Sequence, residues 1–166
     1  SAADATLDLE GHVTARLLPL LAALPRPPLL VGYCLGGTLA LGAAALHPVA
    51  GVVALATPWR FDIFSEADRD TVANSWQLAR HLCERLGYVP MEVLQAGFWT
   101  LDPARTIRKY ADFASLPAGS DRERAFLALE DWANAGPPLS HAAGRDLFEQ
   151  LYESNVTGES RWRIEG

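Results

Sequence analysis

The sequence has only two cysteines, Cys34 and Cys83, and four histidines among its 166 residues. The cysteines do not form a CxxC pair, and no group of histidines has the spacing of metal ligands. We therefore expect no metal site. A disulfide between the two cysteines is an alternative, but reduced thiols in the cytoplasm fit better, because Cys34 lies in a candidate nucleophile motif.

Basic residues are also few, and no block of lysine and arginine occurs. The chain has 14 Lys and Arg against 20 Asp and Glu, which gives a formal net charge of −6. This balance argues against nucleic acid as the main partner. An anionic substrate would need a local basic pocket, which the total charge neither indicates nor excludes.

No uninterrupted apolar run is long enough to cross a membrane. The most apolar stretch, Pro28–Leu46, is interrupted by glycines and is typical of a strand, a turn and a helix. The polar and acidic N-terminal residues predict no signal peptide. Hydrophobic residues make up 49% of the chain and charged residues 20%, as in one folded domain. We expect a cytoplasmic protein.

Apolar periodicity predicts an α/β fold in the first part of the chain. Helical spacing extends from about Thr6 to Leu24, with Pro19 expected to kink or split the helix. Leu29–Tyr33 and Gly51–Ala56 have the apolar composition of buried parallel strands. Between them, Gly36–Leu46 predicts a helix that is buried because it has almost no polar face. The order is that of a parallel, doubly wound unit.

The following region, up to about Asn155, predicts helices with short connectors. Candidate helix ends are Gly87, Asp102 before Pro103, Ser120 or Asp121, and Ser140. Two parallel strands are too few to form a buried sheet. We therefore interpret the sequence as an internal segment of a larger α/β protein. It divides into a core segment (1–58), an all-helical cap (59–155) and the start of a return to the core (156–166).

The run Gly32-Tyr33-Cys34-Leu35-Gly36-Gly37 has the form of a nucleophile elbow, G-x-Nuc-x-G, between a strand and a helix. In such a turn the nucleophile projects from the sheet, and small flanking residues allow strand and helix to approach closely. The N–H of Leu35 is the expected oxyanion-hole donor. Two alternatives are a structural turn with a buried cysteine and a phosphate-binding loop, although neither phosphate-loop signature is present.

The elbow, continued through Thr38-Leu39-Ala40, resembles the lipase-box-like motif of the polyhydroxyalkanoate synthases, α/β-hydrolases in which Cys replaces the usual Ser. Val52–Thr57 and Phe61-Asp62 resemble the next core strand and the entry into the cap. Leu127–Asn134 resembles a cap segment with a Trp-Asn pair, and Leu151–Asn155 resembles the helix that returns to the core. The resemblance spans nearly the whole chain, and the elbow is its most specific part.

The resemblance implies that Cys34 accepts an acyl group from a hydroxyacyl-CoA as a thioester, which then extends a polyester. It implies no cofactor beyond the CoA thioester substrate. The catalytic Asp and His are expected downstream, outside these residues. The cap region around Trp132 would lie near the substrate entry and would allow a homodimer through the cap. Polyester granules are a further expected location.

Two other functions remain open at this stage. One is a cytoplasmic esterase or thioesterase with the same Cys nucleophile, and the other is a non-catalytic interaction homologue. Asp62 and His141 are the internal candidates for a triad with Cys34, in the order nucleophile, acid, base. Surface or capping roles are favoured for all four histidines. Packing roles are favoured for Cys83 and for the five tryptophans, with Trp132 as a partial exception because of its place near the expected substrate entry.

Overall fold

The computed structural model describes residues 4–164. The first three residues of the predicted core segment and the last two of the predicted return segment, Glu165 and Gly166, lie outside the described residues. The N-terminal helical region has three parts: α1 (Leu9–His12), a π-helical turn π1 (Val13–Leu17) and α2 (Leu18–Ala22). Pro19 stands in the first turn of α2, where a missing N–H costs least, and the π turn directly precedes it.

The predicted α/β unit is confirmed. Strand β1 (Leu29–Tyr33), helix α3 (Leu35–Leu46) and strand β2 (Gly51–Leu55) follow in order, and the two strands pair in parallel. The register places Val31 opposite Val53. The sheet of the described residues has these two strands only, and α3 packs against both of them.

One face of this sheet is exposed, contrary to the prediction of fully buried strands. Leu29, Val31 and Tyr33 are 60%, 64% and 55% exposed, whereas Gly32 is buried toward α3. Val53 and Leu55 on β2 are exposed on the same face as their partners. The physical reason is that a parallel strand is buried only when both faces of its sheet are covered, and here only the α3 side is covered.

Helices dominate the region after β2. They are α4 (Glu66–Leu86), α5 (Met91–Leu101), α6 (Pro103–Ala114), α7 (Asp121–Asn134), α8 (His141–Arg145) and the π-helical π2 (Asp146–Glu153). The prediction of an all-helical cap missed one feature. Strands β3 (Tyr88–Val89) and β4 (Leu139–Ser140) form a short antiparallel pair that joins the end of α4 to the start of α8.

The predicted helix ends are confirmed by local hydrogen bonds. Asp102, Ser120 and Ser140 each accept a hydrogen bond from a backbone N–H in the first turn of the following helix. Gly87 ends α4 in the left-handed conformation, with φ +78°. These ends follow from short-range chemistry, which explains why the sequence predicts them well.

The predicted boundary between core and cap does not separate the hydrophobic packing. One buried cluster joins Leu9 of α1, Phe61 after β2 and Leu151 of π2, and Leu35 and Leu39 of α3 pack against it. Predicted core and predicted cap therefore share one cluster. A second cluster is formed by Trp76 and Cys83 of α4 together with three further residues: Val72, Val89 and Phe148.

The predicted return segment packs across the elbow helix. Ile164 contacts the cluster of Val13, Leu21 and Ala43. A Cβ atom added at Gly42 of α3 would lie 2.6 Å from Ile164 and 2.9 Å from Trp162. Close approach of this segment therefore requires a glycine at position 42.

A buried hydrogen bond ties the end of the cap to its entry. The side-chain oxygen of Asn155, at φ +47°, accepts from the N–H of Phe61 at 2.9 Å. Thr157 donates to the carbonyl of Trp59 at 2.5 Å. The two ends of region 59–155 are thus fixed side by side next to the sheet.

Packing roles for the tryptophans are confirmed only in part. Trp76 is 1% exposed and stacks on Phe148 with ring centroids 4.7 Å apart. By contrast, Trp99 and Trp132 are 48% and 60% exposed, because α5, α6 and α7 have no buried residue. The prediction of core packing is wrong for Trp99, whereas Trp132 was the partial exception to that prediction.

Candidate active site

Cys34 lies at the turn between β1 and α3, where the sequence predicts an elbow. Its backbone has φ +51° and ψ −130°, a conformation that is strained for a residue with a side chain. The Cys34 N–H donates to the carbonyl of Leu55 at 2.9 Å, and the Cys34 carbonyl accepts from the N–H of Gly37 at 2.9 Å. Hydrogen bonds to strand β2 and within helix α3 thus hold Cys34 in this strained turn. The side chain is half-buried and its thiol is free.

The first turn of α3 offers unpaired donors beside Cys34. Among the described residues, the N–H groups of Leu35 and Gly36 have no hydrogen-bond partner, and Cys34 provides no side-chain cap. Free N–H groups and the helix dipole at this end favour negative charge. The arrangement can stabilise a thiolate or a developing oxyanion at Cys34. The N–H of Leu35 is thus free, which the oxyanion-hole role predicted for it requires.

The glycines of the elbow have unequal steric roles. A Cβ atom at Gly32 would lie 2.4 Å from the Cα of Gly37 and 2.7 Å from the carbonyl of Gly36. At Gly37 it would lie 1.8 Å from the hydroxyl oxygen of Thr57. At Gly36 it would meet nothing within 4 Å. The close approach expected at Gly36 thus occurs at Gly37, and the double glycine was the sequence signal for it.

A hydrogen bond and a packing contact hold the loop after β2 against the first turn of α3. Thr38 is buried and donates to the carbonyl of Pro58 at 2.7 Å. Thr57 fills the space above Gly37, and its buried hydroxyl oxygen has no hydrogen-bond partner within residues 4–164. The carboxyl ends of both strands therefore meet at the elbow, which is where ligands bind in open α/β sheets.

Trp132 of α7 lies next to the elbow. Its ring contacts the ring of Tyr33, the residue before Cys34, with centroids 5.3 Å apart and an angle of 52° between the planes. Both rings are more than half exposed. A Trp from the middle of the cap is thus brought beside the candidate nucleophile.

Tyr152 of π2 packs at the entry into the cap, a position that the sequence did not indicate. Burial, together with the charge of Cys34, raises the pKa of the Tyr152 phenol. Its ring packs on Phe61 with centroids 4.7 Å apart. No local pattern marks this contact, because the two residues are far apart in the chain and meet only through folding.

The internal triad candidates are engaged elsewhere. Asp62 forms an ion pair with Arg60, which lowers the pKa of the Asp62 carboxyl. The ring of His141 lies over that of Trp76 at 6.1 Å. Within the described residues, neither side chain forms a hydrogen bond or an ion pair with Cys34. The remaining histidines have local polar neighbours only: His12 near Asp8, His47 near Pro48 and His81 near Glu84.

Cys83 has the packing role that was predicted. It is fully buried in the cluster of α4, and burial raises the pKa of its thiol. A protonated and inaccessible thiol is a poor nucleophile.

Among residues 4–164, no group of three or more His, Cys, Asp or Glu side chains could hold a metal ion.

Two cavities in the described part of the chain are lined by residues other than Cys34. One of about 310 Å³ is lined by charged residues of α1, α8 and the C-terminal segment, such as Glu10, Arg145 and Arg163. Another of about 270 Å³ lies between α6 and α7, around Phe113 and Phe126.

The helices of the described residues are all too short or too polar to span a bilayer.

Comparisons with known sequences give the family of the chain. Residues 1–162 match the alpha/beta hydrolase family. The poly(3-hydroxyalkanoate) polymerase subunit PhaC of Allochromatium vinosum is 28% identical over 132 residues, which cover 76% of this chain and 36% of that protein. The same subunit of Haloferax mediterranei is 26% identical over 145 residues, covering 82% and 28%. That of Haloarcula marismortui is 24% identical over 140 residues, covering 82% and 30%.

The chain thus spans about a third of the length of the curated relatives it matches. No solved structure gives a significant match. The family match extends over both strands, the strained cysteine turn and the helices that follow. The chain belongs to the alpha/beta hydrolase family, and within it resembles the polyhydroxyalkanoate synthases.

Proposed function

We propose that the protein of which this chain is part is a polyhydroxyalkanoate synthase-like acyltransferase with Cys34 as its nucleophile. The observation that carries the proposal is the strained backbone of Cys34 at the amino end of α3, beside free N–H groups. Folded chains retain such strain mainly where function uses it. The PhaC relatives support the choice of acyl transfer over other chemistry of this fold.

In the proposed reaction the Cys34 thiolate attacks the carbonyl carbon of a hydroxyacyl-CoA thioester. The negative charge that develops on the carbonyl oxygen is stabilised by the N–H of Leu35. The bond between the acyl carbon and the CoA sulfur then breaks, and CoA leaves as a thiol after taking a proton. A hydroxyl of the growing polyester then attacks the new thioester and loses its proton to the general base. The ester C–O bond forms, the bond between the acyl carbon and the Cys34 sulfur breaks, and Cys34 is released as the thiolate. A cysteine thiol suits this exchange because the acyl group is held as a thioester both on CoA and on Cys34.

We infer that the general base and its carboxylate partner lie on residues outside this sequence. Asp62 and His141 are the internal alternatives, and each is held by other contacts. The chain spans about a third of its curated relatives, which supports a catalytic site completed by further residues. A location at polyester granules and a homodimer through the cap belong to the same proposal.

The test is an assay of the full-length protein with 3-hydroxybutyryl-CoA. We expect CoA release accompanied by polymer that grows in length. Release of free hydroxy acid without polymer would contradict the proposal and support a thioesterase. No turnover of any acyl-CoA, with Cys34 unreactive, would support a non-catalytic homologue. Following CoA and polymer in the same sample separates the three.

Trp132 is proposed to line the entry to Cys34, because its exposed ring contacts Tyr33. Aromatic contacts of this kind contribute about 0.5–1.5 kcal/mol. Trp132→Ala is therefore expected to lower kcat/KM for the acyl-CoA by about three- to tenfold. Trp99→Ala, which removes another exposed tryptophan ring from α5, serves as the control and is expected to have little effect. Equal losses in both variants would contradict the entry role.

A further inference from the structure

Thr38, in the first turn of α3, makes a hydrogen bond that is unusual for a threonine in a helix. Its side chain is fully buried, and its hydroxyl donates to the carbonyl of Pro58 at 2.7 Å. A helical threonine commonly bonds back to a carbonyl three or four residues earlier. Four others in the described chain do so: Thr14 to Glu10, Thr71 to Ala67, Thr100 to Gly97 and Thr106 to Asp102. The Thr38 hydroxyl instead joins its helix to a different segment.

That segment is the β2 connector, which consists of Ala56, Thr57 and Pro58. Ala56 has φ +48°, a left-handed conformation that is unfavourable for a residue with a Cβ atom. A strained backbone persists only where the surrounding structure holds it. Pro58 has no N–H, and within residues 4–164 the bond from Thr38 is the one hydrogen bond that it makes. The β2 connector is therefore held against α3 by this bond and by the packing of Thr57 on Gly37.

The same bond fixes the first turn of α3. Cys34 provides no side-chain cap for this helix, and the N–H groups of Leu35 and Gly36 have no partner among the described residues. These two N–H groups belong to the same helical turn as Thr38. A shift of this turn relative to β2 would therefore change the direction of the free N–H groups at Cys34.

We propose that Thr38 is a positioning residue: through its bond to Pro58 it holds the first turn of α3 so that the N–H of Leu35 meets the oxyanion formed at Cys34. Thr38 acts in this role through the backbone of its own helix and does not touch the reacting atoms. The inference rests on the proposed function, which names Cys34 as the nucleophile. Donors stabilise a developing charge efficiently only when they are already fixed in place, because they then need no reorganisation during the reaction.

The first test measures kcat and KM for 3-hydroxybutyryl-CoA in the full-length protein and in Thr38→Val and Thr38→Ser. Valine removes the hydroxyl and keeps nearly the same shape. We expect kcat to fall about ten- to hundredfold and KM to change by less than about twofold, because the oxyanion is present only in the transition state. Serine retains the donor and should keep kcat within about threefold of the wild type. An unchanged kcat in a folded Thr38→Val protein, or equal losses in both variants, would overturn the proposal.

Thr157→Val is the control for a loss of stability. Thr157 is also fully buried, and its hydroxyl donates to the carbonyl of Trp59, the residue after the β2 connector, without touching α3. Both valine variants lose a buried bond from a hydroxyl to a carbonyl, so both should melt at a lower temperature. Only Thr38→Val should lose kcat. Equal losses of kcat in the two variants would mean that Thr38 contributes to stability alone, and would overturn the proposal.

A second measurement does not use an acyl-CoA. Butyraldehyde adds reversibly to a thiol: the sulfur bonds to the carbonyl carbon, and the thiol proton passes to the oxygen. The oxygen of this adduct on Cys34 lies where the oxyanion of the reaction would form. Its affinity is measured in the full-length protein as protection of Cys34 from iodoacetamide, and the Cys34 peptide is analysed by mass spectrometry.

We expect butyraldehyde to protect Cys34 in the wild type, with a dissociation constant about tenfold higher in Thr38→Val and nearly unchanged in Thr157→Val. Absence of protection in the wild type, or the same constant in Thr38→Val, would overturn the proposal. Failure of the polymer assay would leave this result intact, and failure here would leave the polymer assay intact.

Discussion

Replacing Cys34 by alanine in the full-length protein is expected to reduce CoA release from a hydroxyacyl-CoA by about a thousandfold or more. Removing a nucleophile eliminates the covalent path, and losses of this size are usual when one member of a catalytic unit is deleted. The strained turn that holds the side chain is formed by backbone hydrogen bonds to Leu55 and Gly37, which alanine preserves. The measurement is the initial rate of free thiol release, together with a thermal melt.

Cys83→Ala provides the control for the loss of a thiol. Cys83 is fully buried in the α4 cluster and burial raises the pKa of its thiol, so its removal should leave the rate of CoA release near that of the wild type. The account would be contradicted by a Cys34→Ala protein that is folded and still releases CoA at more than a few per cent of the wild-type rate.

The second large effect is expected from the elbow glycines. Gly32→Ala and Gly37→Ala should each destabilise the protein by about 3 kcal/mol or more, because the new Cβ would collide with backbone at Gly37 and with Thr57, respectively. Gly36→Ala adds the same methyl group in open space on a helix and should change the free energy of unfolding by less than about 1 kcal/mol, in the stabilising direction. Denaturant unfolding of the three variants measures the difference.

The three glycine variants can be compared directly because each adds the same methyl group, so differences in stability report the surroundings of each position. Similar stability of Gly37→Ala and the wild type would mean that Thr57 and α3 can separate at little cost. A strong loss in Gly36→Ala would mean that another part of the full-length protein fills the space beside that residue.

Local chemistry made much of the fold predictable. Caps such as Ser120 and Ser140, and the glycine stop at Gly87, act within one helical turn, so their signals lie in neighbouring residues. The elbow was predictable for the same reason, since strand, small residues and helix are contiguous. Strands β3 and β4 were not predictable, because two residues each are too short for a periodic pattern.

The long-range contacts of the site could not be predicted from the sequence. The contact of Trp132 with Tyr33 and the packing of Tyr152 on Phe61 depend on how the cap folds back onto the core. The exposed face of β1 and β2 has a different cause. Apolar composition predicts that a strand prefers burial, but it does not specify which elements provide the cover.

The most direct test of the central claim is to trap the acyl-enzyme. The full-length protein is mixed with 3-hydroxybutyryl-CoA, quenched in acid, digested and analysed by mass spectrometry. The account predicts that the peptide containing Cys34 carries one or more hydroxyacyl units, that neutral hydroxylamine removes them as expected for a thioester, and that the Cys83 peptide is unmodified. CoA release with an unmodified Cys34 peptide, or with the acyl group on another residue, would contradict it.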